Sequence, residues 1–115
     1  MIDHYSFGQI TIDGETYTDD VIITPEKILE DYWWRDEGHY LQLQDLEQVF
    51  AKNPAIFIMG KGNSGRVKIS EEVVDKMQDR DIEFKYDKTQ VAVKYYNNLI
   101  AGSDEKIVAG FHLTC

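Results

Sequence analysis

The stretch Ala55-Ile56-Phe57-Ile58-Met59 runs directly into Gly60-Lys61-Gly62-Asn63-Ser64-Gly65. An apolar run without polar alternation reads as a strand covered on both faces. The rest of the chain must therefore supply one layer above that strand and another below it. With 115 residues there is material for one core, so residues 1–115 read as a single domain.

The flanking segments carry suitable signals. Residues 7–12 and 15–24 surround Asp13-Gly14, a dipeptide suited to a type I′ hairpin turn, with Ile10 and Ile12 on one face and Tyr17, Val21 and Ile23 on one face. Gly8 breaks the phase between Phe7 and Ile10 and reads as a bulge. Thr24-Pro25-Glu26-Lys27 starts either a helix or a turn into a strand over 28–35, and the aromatic crowding at 32–34 favours the strand. Leu43, Leu46, Val49 and Phe50 follow helical spacing until Asn53-Pro54, with Gln42 or Gln44 as weak caps.

Beyond the glycine turn, Val67 and Ile69 read as extended, and Ser70-Glu71-Glu72 as a capped helix start. A strand over 82–86 precedes a helix capped by Asp87 or Thr89 and closed by Gly102, and 106–111 is the last strand. This alternation predicts parallel pairing with helices packed on the sheet.

Four blocks along the chain carry a resemblance: Trp34-Arg35-Asp36-Glu37-Gly38-His39, Ile58-Met59-Gly60-Lys61-Gly62, the run from Thr89 to Asn97, and Phe111-His112-Leu113-Thr114-Cys115. In these the chain resembles the small Mth-type domains of unknown function, a family with eukaryotic members that include an adipogenesis-associated protein and a mitochondrial complex I assembly factor. The resemblance implies an α/β, three-layer single domain: a central mixed sheet, with an N-terminal β element and a helix on one side and helices on the other. It implies no reaction, although an assembly-type role is found among relatives.

Composition narrows the partners. A formal charge of −9 repels anionic polymers, so neither nucleic acid nor acidic lipid is expected as a partner. The opening residues show neither a basic n-region nor an apolar h-region, and the apolar run is far too short for a membrane span, so the expected location is cytoplasmic. Cys115 is the only cysteine, which excludes an internal disulfide and suits a reducing compartment; as the last residue it does not form a prenylation box.

Two sets of residues stand out as candidate sites. Gly60, Gly62 and Gly65 fit G-x-G-x-x-G, but the next helix begins only at Glu71, behind two carboxylates, so a glycine-requiring turn is expected rather than a dinucleotide cofactor. Lys61, Arg66 and Lys68 lie within eight positions on that loop, where side chains and glycine-freed amides would suit a phosphate, sulfate or carboxylate. Trp33, Trp34 and Arg35 with His39 form the second set, a surface for a protein partner or for a homodimer.

The remaining polar residues suggest less. His112 and Cys115, three apart on an extended segment, should face opposite ways, with His112 structural. His4, His39 and His112 are too scattered for a metal. Asp19-Asp20 reads as solvated, and Asn97 as bonding to nearby backbone. Taken together, the residues suggest a non-enzymatic binding or assembly-type module, with no cofactor. The alternative is an anion-binding protein or enzyme that uses the loop over 60–68.

Overall fold

The apolar run becomes β7 (Ile56–Lys61), paired in parallel with β10 (Ile107–His112) on one side and β9 (Glu83–Asp87) on the other. In the computed structural model, which describes residues 1–35 and 37–115, β4 (Val21–Ile23) joins β10 antiparallel and β5 (Ile28–Glu30) follows β4. The central sheet is thus mixed, in the order β5-β4-β10-β7-β9. Asp36, part of one block carrying the resemblance, lies outside the described residues.

Successive side chains of a strand alternate between faces, so a strand apolar at every position feeds two cores. Ile56, Ile58, Ile107, Ala109, Val21 and Ile23 enter one core, while Phe57, Met59, Val108 and Ile22 enter the other. Over the first face lie β1 (Ile2–Ser6), β2 (Gln9–Ile12) and β3 (Glu15–Tyr17), an antiparallel three-stranded sheet, together with α3 (Thr89–Gly102). Over the second lie α1 (Glu47–Lys52) behind a 3₁₀ turn at Leu43–Leu46, α2 (Glu71–Asp79), and the short parallel pair of β6 (Tyr40–Leu41) and β8 (Lys68–Ile69).

The turn at Asp13-Gly14 has both residues at positive φ, 47° and 86°, as a type I′ hairpin requires. Its second arm is shorter than 15–24, however. The chain leaves the small sheet after Tyr17, and Val21–Ile23 is a separate strand buried on both faces. Gly8 is not a bulge but part of the turn between β1 and β2, at φ 84°; the register irregularity lies between Ile2 and His4.

At Thr24 the turn prevails over the helix, because the Thr24 amide and hydroxyl both donate to the Lys27 carbonyl. The strand that follows ends at Glu30, short of the aromatic residues. Ser70 caps α2 as expected, its Oγ accepting from the Val73 amide. Neither Asp87 nor Thr89 caps α3: Lys88 holds the cap position, and the Thr89 hydroxyl donates inward to the His112 carbonyl at 2.6 Å.

Asn97 reaches much farther than nearby backbone. Its side chain accepts from the Ile2 amide at 2.9 Å and donates to the Ile2 carbonyl at 2.8 Å, tying α3 to β1 across 95 residues. Asn97→Ala leaves both backbone groups without that partner and should lower stability by about 1–2 kcal/mol. Urea denaturation will show this as a lower midpoint at unchanged slope; an unchanged midpoint would mean that the amide does not anchor the small sheet.

Candidate functional site

β7, β9 and β10 run parallel, and their carboxyl ends meet at one edge of the molecule, the place where open α/β sheets hold ligands. A cleft of about 590 Å³ opens there, lined by Glu37, His39, Tyr40, Lys61, Gly65, Arg66, Val67 and Lys68. A volume of this order suits a small metabolite. A second cleft, of about 490 Å³, includes Asn53, Arg80, Asp104, Glu105 and Lys106, and its mixed charges favour no one class of ligand.

The glycine turn builds the first cleft by returning the chain on itself. Gly62 sits at φ 98°, and a Cβ there would come within 2.6 Å of the Cys115 carbonyl oxygen, so the position admits only glycine. Its N–H donates to Thr89 Oγ1 at 2.8 Å, and its carbonyl accepts from Gly65 and Thr89. The returning strand then donates from Val67 to the Lys61 carbonyl and from Lys68 to the His39 carbonyl. Lys61, Arg66 and Lys68 consequently border one space.

Most of the turn's amides are already committed: those of Gly62, Asn63, Gly65, Val67 and Lys68 all donate within the protein, so recognition falls mainly to side chains. Among the described residues, none of Lys61, Arg66 and Lys68 is in an ion pair, and Glu37 is the only acid lining the cleft. The Lys61 ammonium lies 5.5 Å from the centre of the Tyr86 ring. In a chain of charge −9, three unneutralised cations on one rim concentrate positive potential locally.

Behind the cleft lies a buried polar cluster. Arg35 Nη2 is 2.9 Å from Asp20 Oδ2 and 3.0 Å from the Gly38 carbonyl; His112 Nδ1 is 2.6 Å from the same carboxylate oxygen. The Leu113 amide donates to Asp20 Oδ1 at 2.8 Å. Because a carboxylate only accepts, the short contact assigns a proton to His112 Nδ1, which leaves Nε2 facing Thr114 Oγ1 at 3.4 Å. Arg35 Nη2 then has its two hydrogens for Asp20 and Gly38, and its 2.8 Å approach to Nδ1 is a contact between donors. Burial alone would push the Asp20 carboxyl up, but the hydrogen bond and charge of His112, the Leu113 amide and the Arg35 guanidinium hold it below its ordinary value.

His39 joins this cluster to the cleft. Its ring stands edge-on to His112, centroids 5.8 Å apart, and its Nε2 lies 3.6 Å from the Cys115 sulfur. The thiol thus meets His39, not His112. Among the described residues, no three histidine, cysteine or carboxylate side chains gather to hold a metal.

The residues read as candidates from sequence separate into two groups. Gly60, Lys61, Gly62, Gly65, Arg66 and Lys68 run from the end of β7 through the turn into β8, with the three cations around the cleft. The proposed partner surface does not hold together as a set of four. Trp33 and Arg35 are each only 6% exposed; the indole N–H donates to the Asp45 carbonyl, and the guanidinium lies over that ring at 4.8 Å. Trp34, 66% exposed, and His39 do reach the surface. Trp33 is drawn inward by Gly110, where any Cβ would come within 2.7 Å of the indole.

Asp20 is likewise not the solvated carboxylate that its neighbour Asp19 suggests. The chain passes directly from Asp20 into a strand buried at all three positions, which is the local signal that it points inward. Glu37 and Tyr40 come to the cleft through the pairing of β6 with β8, which two-residue strands do not advertise.

The sequence profile of a family described as protein of unknown function (DUF498/DUF598) matches residues 2–112. The fold is shared with a conserved hypothetical protein from Pyrococcus horikoshii, 24% identical with a TM-score of 0.82 over 100% of this chain and 99% of that one. It is shared as well with MT938, at 21% identity and TM-score 0.81 over 100% and 98% of the two chains. A Bartonella henselae protein described as an outer membrane protein matches at 20% identity and 0.80, covering 99% and 94%. At these identities the likeness is one of fold. No helix among the described residues is long and apolar enough to cross a membrane.

The buried cluster gives a pH signature. A depressed carboxyl contributes stability in full above its unfolded value, near 3.8, and loses it as pH falls through the lower folded value. Asp20→Asn should therefore cost about 3–5 kcal/mol at neutral pH, by stranding a buried guanidinium. It should also flatten the loss of stability below about pH 4. Chemical denaturation of both proteins across that range tests this; parallel acid limbs would show that Asp20 does not control it.

Proposed function

Since the chain belongs to the DUF498/DUF598 family of proteins of unknown function, we propose a role from the site itself: a binding module that holds a small anionic ligand in the cleft at the carboxyl ends of the parallel strands. The observation that carries this reading is the grouping of Lys61, Arg66 and Lys68 around one space, without ion-pair partners among the described residues, in a protein of charge −9. Arginine offers two parallel donors to a phosphate or carboxylate and the lysines add point charges. His39 and Tyr40 supply further polar contacts on the opposite wall, and Glu37 selects against ligands that place negative charge near it.

This reading is of binding rather than catalysis. The buried His112 and Arg35, with the partly buried Asp20, serve as the wall's support, fixing the segment that carries His39 through the bond from Arg35 to the Gly38 carbonyl. It takes the protein to be cytoplasmic, which the free thiol of its single cysteine favours. An assembly-type role would use a different face.

Thermal-shift measurements with inorganic phosphate, sulfate and citrate test the proposal. At least one should raise the melting temperature of the parent protein by mass action, and a Lys61→Ala, Arg66→Ala double variant should lose that rise while remaining folded. No rise in the parent, or an equal rise in the variant, would overturn it.

A further inference from the structure

Trp34 is exposed because its neighbours are not. Trp33 is fixed by its amide to the Asp20 carbonyl at 2.8 Å and by its indole N–H to the Asp45 carbonyl at 3.0 Å, and Arg35 is fixed by Asp20 and Gly38. With the residue on each side anchored inward, the backbone turns the Trp34 indole to solvent. Tyr32, 62% exposed, lies two residues away. Backbone anchored on either side limits the conformational freedom that these two exposed aromatics lose on binding, which is what interface anchors require.

The surroundings of this pair have one sign. Tyr32, Trp33 and Trp34 border a groove of about 240 Å³ with Glu30, Asp45 and Glu47, along with Gln44 and Gln48. Among the described residues no lysine or arginine lines it. Its volume falls below the roughly 300–1,000 Å³ of metabolite pockets yet admits a single long side chain. β5, which contributes Glu30, ends the order of the central sheet, so an extended segment alongside would meet an edge strand.

We propose that this groove docks an extended, arginine-bearing segment of another protein, its guanidinium stacked on Trp34 or Tyr32 and paired with Glu30 and Glu47. Charge complementarity selects the occupant, because carboxylates beside exposed rings favour a cation that both can hold. The site is independent of the anion cleft, with which it shares no lining residue.

A fluorescently labelled hexapeptide of alternating arginine and alanine, followed by anisotropy, provides the test, with glutamine replacing arginine in the control peptide. The arginine peptide should bind the parent protein and the control should not. Trp34→Ala, which keeps every charge, and Glu30→Gln with Glu47→Gln, which keeps both rings, should each weaken binding by about tenfold or more. Lys61→Ala with Arg66→Ala should leave it unchanged. Equal binding of the control peptide, no binding of the arginine peptide, or a smaller loss in Trp34→Ala would overturn the proposal, the last by showing attraction to diffuse negative charge.

Discussion

Everything in this molecule follows from strands that must be dry on both sides. β7 and β10 carry apolar residues at almost every position, so each contributes to two cores at once. A single layer of cover would leave half of those side chains in water, at about 0.8 kcal/mol for each exposed methylene. The N-terminal small sheet with α3, and the α1, α2 and β6–β8 layer, are the two answers to that demand. They also leave the carboxyl end of β7 open at the edge where Lys61 borders the cleft.

How much of this can be read without coordinates depends on distance along the chain. Residues 55–59 declare themselves, because burial on both faces leaves a compositional mark. Val21-Ile22-Ile23 bears the same mark, yet next to Asp13-Gly14 it reads as one arm of a hairpin, and only the pairing with β10 separates it from Tyr17. The cations of the cleft are legible since Lys61, Arg66 and Lys68 are close in sequence. The cluster behind them is not: Asp20 meets Arg35 across 15 residues and His112 across 92, and no periodicity reports such a meeting. Trp33 and Trp34 are alike on paper, and it is Gly110 that decides which one goes inside.

The charge distribution has two scales. Over the whole surface the acids dominate, which discourages anionic polymers from approaching any face. Within about a Debye length, some 8–10 Å, local groups prevail. The rim of the cleft and the groove beside Trp34 therefore present opposite preferences on one small domain, each set by a handful of side chains. Arg35 stands between the two regions, its backbone flanking Trp34 and its side chain supporting the segment that holds His39.

The order of the central sheet also bears on how the protein is made. β10 occupies its middle position and is the last strand in the sequence, so until residues 107–112 emerge, β4 with β5 and β7 with β9 are two half-sheets with nothing to join them. The N-terminal sheet is in the same position, since Asn97 and Leu113 hold it from the distal end of the chain. Synthesis from the amino end must therefore reach residues 107–112 before the central sheet can close. Such dependence on remote partners slows folding and lengthens the interval in which chaperones would find apolar strands uncovered.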